Sequence, residues 1–294
     1  MPVCTIHLLR LDQGVSIDAF LRSLFASDSA EAVIAVSQVR KPIIEATRID
    51  STLLNSTPWH LLLLCKGVAS ANLASALTQQ IRTHYVVYAG IPAKIVDSYH
   101  EISCKLNAVP RPPLLCLQQD GSPNPSSTGG SGSKPSSATS SSGTSSQNLE
   151  LDDSLLSFAS HLKSQYTGPV SMLNLLQFHT HPDAVENYHK YGKGFATVAG
   201  KRGGNAKVVG LVVNPKDAPR PDSRGNPTRA QSDWWNECTF VHYPSIDHFA
   251  DMAADPAYQH VNRTYRLQAL KDTALVCTTE IDTAPYRNAR GAKL

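Results

Sequence analysis

Apolar positions along this chain fall into two rhythms, strand-like runs and helical spacings, and the series is played through twice. Val3 to Leu11 (VCTIHLLRL) is a near-continuous apolar run of strand length. Ile17, Phe20, Leu21 and Leu24 then recur as one helical face behind Ser16, whose hydroxyl suits an N-cap. Ala32 to Ile44 predicts a strand pair or one bent strand, and Trp59 to Lys66 a third strand. Leu77 and Ile81 share a face in a second helix predicted over Leu73 to Tyr88, and Glu101 to Leu106 reads as a closing strand. The later series is marked more clearly. An amphipathic helix, Asp152 to Tyr166, stops at Gly168-Pro169, and Val170 to Phe178 (VSMLNLLQF) is a strand. Pro182 opens a long helix with Val185, Tyr188, Tyr191 and Phe195, which fades near Gly203-Gly204. Ala206 to Val213 and the aromatic, β-branched Trp234 to Tyr243 are strands, the latter ended by Pro244. Ser245 is placed to cap a helix bearing Phe249, Met252 and Ala253, and Asp255-Pro256 breaks it. A further helix carries Tyr258, Val261, Tyr265 and Leu270, and Ala274 to Ile281 is the last strand.

Both series read βαββαβ. IHLLRL followed by SIDAFLRSLF parallels LNLLQF followed by PDAVENYHKY, a repeat of pattern more than of residues. Between them, Gly121 to Gln147 collapses to Ser, Gly, Thr and Pro, too little apolar surface to offset its ordering entropy. The expected organisation is a degenerate ferredoxin-like domain over 1–109, a disordered linker over 110–150, a second ferredoxin-like domain over 151–284 and a tail over 285–294. A four-stranded sheet covered by helices on one face leaves the other bare, and two such sheets can bury those bare faces against each other.

Residues 170–282 resemble the domain-of-unknown-function family 1330, a branch of the dimeric α+β barrel superfamily. The resemblance is carried by NLLQF, YHKYG, the Gly-Gly before a strand, YPS…F…DPAY and the closing LVCTTEI. It implies an α+β fold in which two tandem ferredoxin-like domains pair sheet to sheet as an intramolecular dimeric α+β barrel, a pseudo-dimer with room for a further homodimer. The superfamily holds cofactor-independent oxygenases, isomerases, cyclases and haem enzymes, so the resemblance does not select a reaction.

Composition narrows the field by exclusion. A formal charge of +3 over 294 residues, without a basic run, argues against nucleic acid. No stretch approaches the ~18 apolar residues of a membrane span, and MPVCTIHLLRLDQ lacks the basic start and cleavage site of a secretory signal. Six cysteines without a CxxC pair read as small buried hydrophobes in a reducing compartment, so the chain is expected in the cytoplasm.

Candidate chemistry follows from strand alternation. Met172, Asn174, Leu176 and Phe178 share one face, and Trp234, Asn236, Cys238, Phe240 and His242 share another. His242 is the candidate general base, with Asn174 or Asn236 holding a developing oxyanion. The competing reading of His242 is a hydrogen-bonded strand-end histidine beside Pro244. Tyr188, Tyr191 and Tyr258 are candidate substrate contacts that also suit plain packing. Arg266 suits an anionic substrate or an ordinary solvated helix face. His179, His181, Asp183, Glu186 and His189 match no zinc spacing, so no metal is expected, and no cofactor. Two functions stay open. One is a small-molecule enzyme or binder doing cofactor-independent proton transfer (isomerase, cyclase, decarboxylase or monooxygenase-like) on an aromatic or polyketide-like substrate. The other is a non-catalytic scaffold or protein-interaction module.

Overall fold

The computed structural model describes residues 1–118, 120–124, 147–216, 222–224 and 229–291. The fold is mixed α+β, and its eight antiparallel strands close into a barrel in the order β1-β3-β2-β8-β5-β7-β6-β4. The first half supplies β1 (Val3–Leu11), β2 (Val33–Ile44), β3 (Leu61–Lys66) and β4 (Ile81–Gly90). The second supplies β5 (Val170–Phe178), β6 (Asn205–Val212), β7 (Glu237–Tyr243) and β8 (Leu270–Glu280). Around the ring the halves run β4-β1-β3-β2 and β8-β5-β7-β6, so each quartet has the same internal order. They meet at two seams, β2 with β8 from Ser37↔Glu280 to Ile44↔Leu275, and β4 with β6 at Ala89↔Val212 and Gly90↔Leu211. Closure leaves neither quartet with an unpaired edge.

Inside the ring the alternating side chains are large and apolar. Ile6, Leu8, Leu62, Leu64, Leu173, Leu175 and Phe240 fill the interior, with Trp234 and Trp235 packed into the same cluster. The helices lie outside. α1 (Ile17–Ala26) seats Phe20, Leu21, Leu24 and Phe25 on the outer face of β1 and β3. α2 (Ser51–Ser56), α3 (Ser75–Thr78), α4 (Ala93–Asp97) and α5 (Tyr99–Ala108) complete the first half. The second half has α6 (Asp153–Gln165), α7 (Asp183–Gly200), α8 (Ile246–Ala253) and α9 (Pro256–Val261). A π-helical turn, Asn262–Arg266, and the short α10 (Leu267–Ala269) lead into β8, and α11 (Ala284–Gly291) ends the described chain. Ser16, Asp152 and Asp255 each accept a first-turn amide at 3.1, 2.7 and 2.7 Å, caps worth about 1 kcal/mol apiece. Ser245 does stand at the N-cap of α8, but its Oγ pairs with His248 Nδ1 at 2.8 Å instead of an amide.

Several expectations are corrected. Leu73 to Tyr88 holds only the short turn α3, and from Ile81 it is β4, paired with β1 from Val3↔Gly90 to Leu11↔Ile81. The helical spacing of Leu77 and Ile81 was outweighed by a β-branched, aromatic run (Thr83, Tyr85, Val86, Val87, Tyr88) with a long strand to pair with. Glu101 to Leu106 is not a strand but part of α5, whose Tyr99 and Ser103 are buried. Of the two readings of Ala32 to Ile44 the bent single strand is the one found, Val33–Ile44 with two register shifts against β8. Residues 285–291, expected as tail, lie in α11, which packs on α1 and hydrogen-bonds Asp18 through Tyr286 Oη at 3.0 Å.

The linker's two ends are anchored, and 125–146 lies outside the described residues. At one end Leu115, Cys116 and Leu117 donate backbone N–H groups to Asp251, which is buried with Arg202. At the other, Gln147 is buried: its Nε2 donates to Glu45 O at 2.7 Å and its Oε1 accepts from Thr273 N at 2.6 Å.

Candidate functional site

Between the outer face of the second quartet and its helices lies a cavity of about 750 Å³. Alternation builds its floor. Leu173 and Leu175 of β5 and Cys238 and Phe240 of β7 point into the barrel, so Met172, Asn174, Glu237, Thr239, Val241 and Tyr243 face the helices. Register lines these up across four strands: Leu275, Asn174, Thr239 and Val209 form one row, and Glu237 sits in the next, opposite Leu176 and Leu211. Asn174 and Glu237 are thus diagonal cross-strand neighbours, a relation that spans roughly 7–8 Å between Cα atoms. One bound molecule can touch both.

The roof is α7, α8, α9 and the π-helical turn. Tyr188, Tyr191 and Phe195 recur at helical spacing on the buried side of α7, their rings 5.5 and 5.8 Å apart in sequence. Phe249 and Met252 of α8, Tyr258 of α9 and Arg266 of the π-helical turn close the remaining sides. Gly192, Gly200 and Gly204 line the rim, beside exposed Val209 of β6. Gly203 holds a left-handed φ of +71°, which ends α7 and lets Gly204 pass where a Cβ would lie 2.9 Å from the Ala199 carbonyl oxygen. Leu149, just beyond the anchored Gln147, forms part of the wall.

Most of this lining is apolar or aromatic, and several of its polar groups have bonding capacity left over. No described residue hydrogen-bonds the Glu237 side chain, and burial pushes its carboxyl up to about 7. Burial also raises the Tyr188 phenol well above its ordinary value, helped by Tyr191 and Glu237 and opposed by the positive charge of Arg266. The Tyr258 ring is fully buried, and its hydroxyl makes no hydrogen bond of normal geometry, although the Tyr191 phenol is near enough to interact with it. Asn174 Nδ2 has only a long 3.3 Å contact to Met172 O. Arg266 is buried and donates from Nη1 to Gln147 O at 2.8 Å.

Of the residues singled out from the sequence, Asn174, Tyr188, Tyr191, Tyr258 and Arg266 converge on this cavity. His242 and Asn236 do not line it. His242 pairs in register with Ser171 and shares parity with Phe240, so it belongs to the barrel-interior side, opposite to Asn174. The two cannot serve one substrate atom. His242 is buried, Nε2 lacks a partner, and burial with Lys207 and His248 nearby pulls its pKa down to about 4. Asn236 Oδ1 accepts the Phe178 amide at 2.8 Å, terminating the β5 ladder. Glu237 was missed. Its signal was a lone carboxylate on the strand face of Thr239, Val241 and Tyr243, which the sequence reading set aside for the face of His242.

His179 and His181 stack at 5.5 Å at the end of β5, and among the described residues no group of three His, Cys, Asp or Glu is placed to hold a metal ion. Among the same residues no helix is long and apolar enough to cross a membrane.

No family model matches the chain, and no curated protein does. Solved structures of similar shape include a protein of unknown function from Rhodopseudomonas palustris, 25% identical over 44% of this chain and 94% of its own, with a TM-score of 0.31. Two provisionally named monooxygenases span nearly everything. That of Lactobacillus acidophilus is 10% identical over 95% of this chain and 94% of its own (TM-score 0.39). That of Fusobacterium nucleatum is 8% identical over 96% and 94% (TM-score 0.41). Likenesses of this degree bear on neither substrate nor chemistry.

Proposed function

We propose that this chain is a small-molecule enzyme of the dimeric α+β barrel type, built as two tandem ferredoxin-like units, whose cavity in the second half performs proton transfer on an aromatic or polyketide-like substrate. The architectural part is supported by the repeated strand order of the two quartets and the resemblance of residues 170–282. The chemical part rests on one observation: a half-buried carboxylate without a hydrogen-bond donor among the described residues, its pKa pushed up to about 7, in an apolar cavity large enough for a ligand. A base poised near the working pH combines a useful fraction of carboxylate with a real affinity for the proton. Glu237 takes a proton from an acidic carbon or enol of the substrate. Charge moves onto the neighbouring carbonyl oxygen, and Asn174 Nδ2 and the neutral Tyr188 phenol are the donors beside it. Return of the proton to a different carbon completes an isomerisation, whereas attack of the enolate carbon on a second carbonyl, whose alkoxide oxygen takes the proton back from Glu237, would complete a cyclisation. These steps use only the residues named.

The test is solvent deuterium incorporation into an aromatic 1,3-diketone, followed by NMR in D2O. Wild type should exchange the acidic C–H well above background, and Glu237→Gln should lose about 10²–10⁴ of that rate. Equal exchange by both proteins would remove Glu237 from the chemistry. The scaffold alternative draws on the apolar filling of the barrel interior; it predicts no exchange above background from either protein.

A further inference from the structure

We propose that the ligand of this cavity is an aromatic carboxylate, its anionic group held by Arg266 and Tyr258 and its ring system lying against Met172, Val241 and Leu275. The inference rests on the cavity being a ligand site, as above, and names the class of molecule it takes.

Four cations are buried among the described residues: Arg202, Lys207, Arg224 and Arg266. Three have carboxylates. Arg202 pairs with Asp251 and Asp255 at 2.5 and 2.8 Å, Lys207 with Glu280 at 2.7 Å and Arg224 with Asp222 at 2.9 Å. Arg266, only 3% exposed, has no acidic partner among the described residues. Its Nη1 is committed to Gln147 O, with Asn262 Oδ1 a marginal 3.5 Å away. Nε and Nη2 have no described protein acceptor, and that edge of the guanidinium is the one that grips a carboxylate with two parallel hydrogen bonds. A buried charge without a counter-charge is costly, and a bound anion would relieve that cost.

Tyr258 supplies an independent pointer. It lines the same cavity, is fully buried, and its hydroxyl lacks a hydrogen bond of normal geometry, while the positive charge of Arg266 acts on it. A donor phenol beside a free guanidinium edge suits one oxygen of an anion. The surrounding Met172, Val241, Phe249, Met252 and Leu275 are apolar and give the ligand's ring system its bed, with Asn174, Tyr188 and Glu237 of the same lining left to the reacting part. Of the lining's Lys193 and Arg266 only Arg266 is buried, and a single buried guanidinium matches a monoanion better than a phosphate dianion.

The experiment compares 2-naphthoate, its neutral isostere 2-naphthamide and 2-naphthyl phosphate by calorimetric titration of the full chain at pH 6, where Glu237 is mostly protonated. The naphthoate should bind at least about tenfold more tightly than either of the others, the usual worth of a charge-assisted pair. Arg266→Gln should abolish that preference while leaving the amide's affinity within a few-fold, and Tyr258→Phe should weaken the acid selectively. Glu237→Gln should keep the preference, so a failure of the proton-transfer reading would leave this result standing. Should Arg266→Gln not fold, Arg266→Lys keeps the charge without the fork and should lose most of the selectivity. Equal binding of acid and amide, tighter binding of the phosphate, an unchanged preference in the Arg266 variants, or no binding by any of the three overturns the proposal.

Discussion

Replacing Glu237 with glutamine should stabilise the protein while silencing it. Burial raises this carboxyl from 4.5 to about 7, so the folded state disfavours its ionised form relative to the unfolded chain. The folded protein then holds the proton more tightly between those values, and stability falls as pH rises through that window. Below pH 4.5 the group has no effect; above 7 the full cost is present. At 1.36 kcal/mol per pH unit the displacement amounts to about 3 kcal/mol. Glutamine has nearly the same shape and no charge, so Glu237→Gln should gain up to about 3 kcal/mol at pH 8 and less than about 1 kcal/mol at pH 5. Urea unfolding of both proteins at the two pH values measures the difference directly. For a chain of this length such a gain moves the melting temperature by several degrees. If Glu237→Gln is no more stable than wild type at pH 8, or gains equally at pH 5, the carboxylate is solvated or paired and cannot be the poised base. The same group should leave its mark on turnover, with kcat/KM rising through about pH 7 as the base ionises.

Asn174→Ala, which removes the proposed oxyanion donor, should cost about 10²–10³ in deuterium exchange at little cost in stability; an unchanged rate would take Asn174 out of the site. His242→Leu should leave exchange intact. Its buried imidazole has a lowered pKa, so the native state loses stability as pH falls from 6.5 to about 4, and the leucine variant should resist acid better in that window; lost activity with normal folding would restore His242 as a candidate. Gly192, where an added Cβ meets nothing within 4 Å, lines the rim, so Gly192→Leu should block ligand entry while the melting temperature holds or rises; undiminished binding would put the entrance elsewhere. Residues 150–294 alone expose the β6 and β8 edges that β4 and β2 cover and should dimerise or aggregate; a monodisperse monomer in sedimentation would contradict the seams.

Sequence alone determined the elements whose signal is local. In the second half, Val170–Phe178, the helix carrying Tyr188, Tyr191 and Phe195, and the strand ended by Pro244 stand within a few residues of their reading. Ser16 caps its helix as read, because a short acceptor side chain beside a free amide needs no distant partner, whereas the Ser245 hydroxyl turns to His248. The first half was less legible because its elements depend on their neighbours: β4 exists by pairing with β1, and α5 buries Tyr99 and Ser103 in an end that only the closed ring provides. The site divided along the same line. Tyr188, Tyr191, Tyr258 and Arg266 could be named by type, and helical spacing put the first two on one face. Which strand face met them could not be read from alternation, since in this barrel both faces are buried, one by the opposite strands and one by helices. Glu237 and His242 stand at opposite parity, and whether each faces the cavity or the interior is what local alternation leaves open. The tertiary structure decided which face is which, because only the closed ring and the placing of α7, α8 and α9 make one face a packed interior and the other a cavity.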